Sequence, residues 1–140
     1  GQYGALITVE IGVVSAHRRA LARAQLMVPP SQQVLLVVDT GASHTLIDSG
    51  VMRSLGLQPT GSYPYHSTSS AGVAQRCDAY GVALAIGTAS AGNLLRFDPV
   101  EVMANSFINH HYQGVLGRDI LNQLYLAWRG PSQQLLMEYP

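Results

Sequence analysis

The sequence predicts an all-β, barrel-like domain, and three observations carry that reading. The apolar stretches are short and rich in β-branched residues, as in Leu35–Val38 and Val82–Ile86. Turn-forming residues recur between them, at Pro29-Pro30-Ser31, Pro59–Gly61, Ser70-Ala71-Gly72 and Gly130-Pro131. Only two short segments, Gly50–Leu55 and Arg118–Leu124, are assigned to helix. Many short strands with two short helices fit a closed β architecture. A chain of 140 residues is expected to form one domain, spanning 1–140.

Each element follows from its residues. Tyr3–Val14 and Ala20–Val28 alternate loosely and are expected as strands. Ala16–Met27 (AHRRALARAQLM) competes as a helix, because Ala, Arg and Leu favour that state, but strand is the expectation. The run into Asp39 is a buried strand, and Thr45–Ile47 is a short one. Asp48-Ser49 caps the helix Gly50–Leu55, and Gly56 closes it. Tyr63–Ser69 and Val73–Tyr80 flank Ser70-Ala71-Gly72 and read as a hairpin. Val82–Ile86 and Leu94–Met103 are strands, the second with a break at Pro99. Gly114–Gly117 is an apolar loop bracketed by glycines, Arg118–Leu124 a helix, and Tyr125–Trp128 with Leu135–Tyr139 a closing hairpin.

Composition narrows the functional classes. The chain is 47% hydrophobic but only 11% charged, against a usual charged share of about 25%. Eight basic and eight acidic residues cancel, which argues against nucleic acid or an anionic membrane as partner. So few charges on a small domain also point to surface covered by another subunit. The single cysteine, Cys77, cannot form an internal disulfide, so an oxidising compartment is not indicated and a cytoplasmic setting is favoured. The longest apolar run, Val34–Val38, is far too short to span a membrane. The chain opens on Gly1 rather than Met, so processing or excision from a longer, or anchored, parent is expected.

The chemistry concentrates in LLVVDTGASH, Leu35–His44. An aliphatic strand delivers Asp39 into a Thr40-Gly41 turn, followed by Ala42 and Ser43. A carboxylate there is costly to bury without a partner, so the chain either solvates Asp39 or uses it. Some seventy-five residues later comes GVLGRDIL, Gly114–Leu121. These two motifs, with a hairpin between them, resemble the retropepsin-like aspartic peptidases, a single-lobed family that includes retroviral proteases and many bacterial relatives. The resemblance runs from about Val34 onward; the first thirty residues match only as generic strands.

The resemblance implies a closed β-barrel lobe with a flap hairpin, and an active site completed only in a homodimer. Asp39 is then the catalytic residue. Two Asp39 carboxylates face each other, cannot both ionise cheaply at close range, and titrate as a pair. One activates a water that attacks a peptide carbonyl while the other protonates or hydrogen-bonds the oxyanion. No metal and no other cofactor is required. Thr40, Gly41 and Ala42 correspond to the supporting loop, Thr40 bonding across the dimer and the Gly41 carbonyl binding substrate backbone. Ser69, Ser70, Ala71 and Gly72 correspond to the flap tip that closes over an extended peptide. Val115, Leu116 and Gly117 correspond to the loop beside the Asp turn, and Arg118 to an arginine tying the helix to it. The implied function is an aspartic endopeptidase acting on extended, apolar-flanked segments, best at mildly acidic pH. The alternative is a weakly active or inactive module of the same fold that dimerises or binds peptides.

Two departures favour that alternative. Ser43 stands where many viral members carry an acidic residue, so Arg118 must find another partner, such as Asp119 or a terminus. The flap tip has one glycine, in Ser-Ser-Ala-Gly. Other tempting residues have plainer readings. Asp48-Ser49-Gly50 is a helix cap, not a second catalytic motif. His110-His111 lacks metal-ligand spacing with Cys77 or His66 and reads as a solvated loop. Ser43-His44 beside Asp39 has triad composition without triad context. Tyr63, Tyr65 and Tyr80 read as strand-face aromatics, one of which could reach the cleft. Trp128 reads as packing, and Arg18, Arg19 and Arg23 as a solvated face.

Overall fold

In a computed structural model, which describes residues 4–67, 71–87 and 92–140, the described residues form nine strands, three short α-helices and one 3-10 turn. Six strands close a barrel. In sheet order they are β1 (Leu6–Gly12), β2 (Gln32–Val38), β7 (Gly114–Leu116), β3 (Leu46–Asp48), β6 (Leu94–Asn105) and β5 (Gln75–Gly87), and β5 returns to pair with β1. β4 (Gly61–Tyr65) extends from β5 outside the ring, and β8 (Tyr125–Arg129) with β9 (Gln134–Glu138) forms a separate ribbon. Closure removes sheet edges, which otherwise invite unwanted pairing.

Alternation fills the barrel. Val9 and Ile11 of β1, Val34 and Leu36 of β2, and Leu84 and Ile86 of β5 point inward and are almost fully buried. Met52 of α2 (Ser49–Ser54) and Ile120 of α3 (Arg118–Leu121) plug the same core. A smaller cluster of Leu46, Cys77 and Met103, with Tyr65, Phe107 and Val115 against it, lies on the other face of the sheet.

Three expectations are corrected. The segment Ala16–Met27 is not a strand: α1 covers Ser15–Arg23, with none of its residues buried. Without a face to bury, helix propensity decides, and the Asp98 carboxylate caps the first turn by accepting from the Ser15 backbone N–H at 3.1 Å and from its hydroxyl. Pro99 does not break its strand, since β6 runs through it. The ladder instead shifts register, Leu84 pairing Phe97 and Val82 pairing Val100, so Asp98 and Pro99 together face one residue of β5. A bulge accommodates a residue with no N–H to donate. Finally, Gly114–Leu116 is not loop but β7, parallel to β2 and antiparallel to β3.

The expected helix cap is present: Asp48 precedes α2, its Oδ1 accepts from the Gly50 N–H at 2.7 Å, and Gly56 follows in the left-handed region. Asp48 is therefore structural. No helix among the described residues is long and apolar enough to cross a membrane.

Candidate active site

Asp39 is the residue immediately after β2, at the point where that strand leaves the barrel. Its backbone N–H continues the ladder onto Leu116 O of β7 at 3.0 Å. Its Oδ1 accepts from the Gly41 N–H at 2.8 Å, and Ala42 N–H closes the turn onto Asp39 O at 3.2 Å. A Cβ on Gly41 would sit 3.1 Å from that Oδ1, so the glycine serves close approach. On the other side of the turn, the Arg118 N–H donates to Ala42 O at 2.9 Å. The turn is thus gripped by the segment that joins β7 to α3. Asp39 itself is half-buried, while Thr40 and Gly41 are exposed.

A cavity of about 280 Å³ opens at Asp39, walled by Leu46, Tyr65, Phe107, His110 and Val115 among others. Tyr65 on β4 is the tyrosine that reaches it. Burial, then the charge on Cys77, then the charge on Asp39 raise the Tyr65 phenol above its ordinary 10.0, so it faces the cavity as a neutral hydroxyl. Cys77 is buried, and its thiol is pushed up by that burial and by Asp78, which leaves it a poor nucleophile.

Below the turn lies a brace that sequence reasoning did not find. Thr45 is the one polar residue fully buried among the described residues. Its hydroxyl accepts from the Gly117 N–H at 3.0 Å and donates to Asp119 Oδ1 at 2.7 Å. The Asp119 carboxylate also accepts from the N–H groups of Thr45 at 2.8 Å and Ile120 at 2.9 Å. Asp119 is therefore committed to Thr45 and does not serve as the partner of Arg118. The Arg118 side chain is exposed, and its tie to the Asp turn runs through the main chain. Gly117 has no substitute here: a Cβ would lie 2.5 Å from the His44 carbonyl. The available signal was a polar β-branched residue six positions after Asp39, leading into an apolar strand.

A model of a family described as aspartyl protease matches residues 24–120, more than half of the chain. The chain belongs to the retropepsin-like aspartyl protease family. The match begins within the N-terminal third and spans both the Asp39 turn and the Gly114–Leu116 strand, stopping short of the β8–β9 ribbon. No curated protein matches the chain.

In this aspartyl protease chain Val115 and Leu116 occupy β7, Val115 toward the cavity and Leu116 in the core. The β4–β5 hairpin pairs Gly61 with Ala79 through Tyr65 with Gln75. Ala71 and Gly72 have left-handed backbones in its turn, whereas Ser69 and Ser70 lie outside the described residues. Among the described residues, no group of three or more His, Cys, Asp or Glu side chains comes together as a metal site, and His110 instead packs on Phe107 and Tyr112.

Proposed function

We infer that the chain is an aspartic endopeptidase whose active site is an Asp39/Asp39′ dyad formed across a homodimer. One observation carries the reading: a protease-family chain holds Asp39 on a braced turn at the mouth of a cavity, and the carboxylates of Asp48 and Asp119 are engaged in structural hydrogen bonds. Asp48 caps a helix and Asp119 braces Thr45. A water activated by an acidic pair needs a second carboxylate, and a second copy of Asp39 supplies it by symmetry.

The surface supports a homodimer. Tyr125 and Trp128 of β8 are 66% and 56% exposed, which is expensive on a ribbon too small to be stable alone. The protomer exposes 8534 Å², against roughly 7,000 Å² expected for a monomer of its mass from general size scaling. Within the dimer, one carboxylate holds the shared proton while the other takes a proton from water, which attacks the scissile carbonyl. The protonated partner gives its proton to the oxyanion; as the C–N bond breaks, the carboxylate that took the water proton passes it to the leaving nitrogen and a diol hydroxyl returns a proton to the partner. Thr40 and Gly41, exposed on the turn, are positioned to contact the partner turn and the substrate backbone. The β4–β5 hairpin, with the turn at Ala71-Gly72, acts as the flap.

Digestion of an unbiased peptide library by the wild type and by Asp39→Asn tests this. The wild type is expected to cleave, and the variant to lose cleavage while keeping its fold and its sedimentation behaviour. Equal cleavage by both would remove Asp39 from the chemistry.

A further inference from the structure

We propose that the groove between α2 and residues 106–113 is a distal substrate subsite that receives an acidic side chain on Arg53. The proposal rests on the endopeptidase reading and names part of the substrate that reading leaves open. A second cavity, of about 420 Å³, lies beside α2. Ser106, Phe107 and His110 line both this groove and the Asp39 cavity. The dividing wall is an aromatic cluster: the His110 ring lies 5.8 Å from Phe107 and 4.9 Å from Tyr112. An extended chain advances about 3.3 Å per residue, so it crosses a wall of one or two rings within about two to four residues.

The groove's chemistry selects the occupant. Its charged side chains are Asp48 and Arg53, with His110 at the shared wall. Asp48 is already spent, its Oδ1 accepting from Gly50 N–H at 2.7 Å and its Oδ2 from Phe107 N–H at 2.8 Å. Arg53 is exposed and makes no ion pair or side-chain hydrogen bond among the described residues. Its guanidinium lies over Gly50, where a Cβ would come within 3.7 Å of Nη2 and 2.8 Å of Asp48 Oδ1, so the Asp48 charge lies near the guanidinium without forming an ion pair with it. Ile108, 85% exposed, flanks the groove with apolar surface for the methylenes of a longer side chain. An unpaired guanidinium beside apolar surface fits Glu better than Lys or an uncharged residue.

The test uses peptides with one common core cleavage sequence, and Glu, Gln or Lys walked outward from the scissile bond on either side. Cleavage by the wild type, Arg53→Gln and Arg53→Glu is compared as kcat/KM ratios. Binding to Asp39→Asn, with and without each Arg53 change, is followed by fluorescence anisotropy. At one position the wild type is expected to prefer Glu over Gln by about three- to tenfold, as for a partly exposed charge-assisted contact. Arg53→Gln should lose that preference and Arg53→Glu should turn it toward Lys. A core that is cleaved with no Glu preference, or a preference that survives both variants, overturns the subsite and leaves the peptidase reading standing. If no peptide is cleaved, the peptidase reading fails; the anisotropy series then decides the subsite, and equal or absent binding of the Glu and Gln peptides overturns it.

Discussion

At the scale of single residues, the site works by deciding which polar groups are free. Asp39 Oδ1 is held by one N–H from its own turn, which orients the carboxylate without enclosing it. Tyr65 is the contrasting case, a phenol kept neutral by burial, Cys77 and Asp39, in that order. Its raised value has a consequence for stability. The native state holds that proton at a pH where the unfolded chain has lost it, so the associated stability is complete below the unfolded value near 10.0 and is lost as pH rises through the higher folded value. Denaturant melts of the wild type and Tyr65→Phe over about pH 9 to 11 should therefore show the wild type losing stability relative to the variant as pH rises. A difference between the two that does not change with pH would remove Tyr65 from the charge environment of Asp39.

At the scale of elements, the Asp turn depends on a junction between the approach to β3 and the entry to α3. Thr45, Gly117 and Asp119 interlock there, and removing the hydroxyl leaves the buried Gly117 N–H without its acceptor. Thr45→Val is expected to cost about 1–3 kcal/mol, the usual penalty for a stranded buried donor. It should also depress cleavage more than Thr45→Ser, which keeps the hydroxyl. Equal stability of Thr45→Val and wild type by urea titration would show that the brace is dispensable. This junction was only half legible in the sequence. The Asp39 motif stands out because an apolar strand runs into it, the Gly117-Arg118 pair because a glycine-bracketed apolar segment precedes it, and the Asp48 cap because Asp-Ser precedes a short helical run. Thr45 does not, because its role depends on Asp119, seventy-four residues away. The N-terminal helix is hard to read from sequence because alternation and helix propensity conflict over a segment that buries nothing. β7 is not legible because its three residues, one of them Gly114, are too few to carry a periodicity. At Pro99 the sequence alone points to a break, because the compensating bulge depends on the facing strand.

At the scale of the whole molecule, the barrel core and the braced turn are complete within one protomer, while the proposed chemistry is not. Tyr125 and Trp128 on the ribbon, and a surface larger than size scaling predicts, are consistent with a partner completing the site. The low charge of the chain, 11% of residues, makes such an interface inexpensive to desolvate. The proposed chemistry depends on stoichiometry, and subunit mixing measures it directly. Wild type and Asp39→Asn are co-refolded in equal amounts, and peptidase activity is compared with the same total concentration of wild type. If each site needs two Asp39 carboxylates, random pairing leaves about one quarter of the activity, because only about a quarter of dimers carry both. Retention of about one half would mean that each protomer acts alone, and would contradict the account.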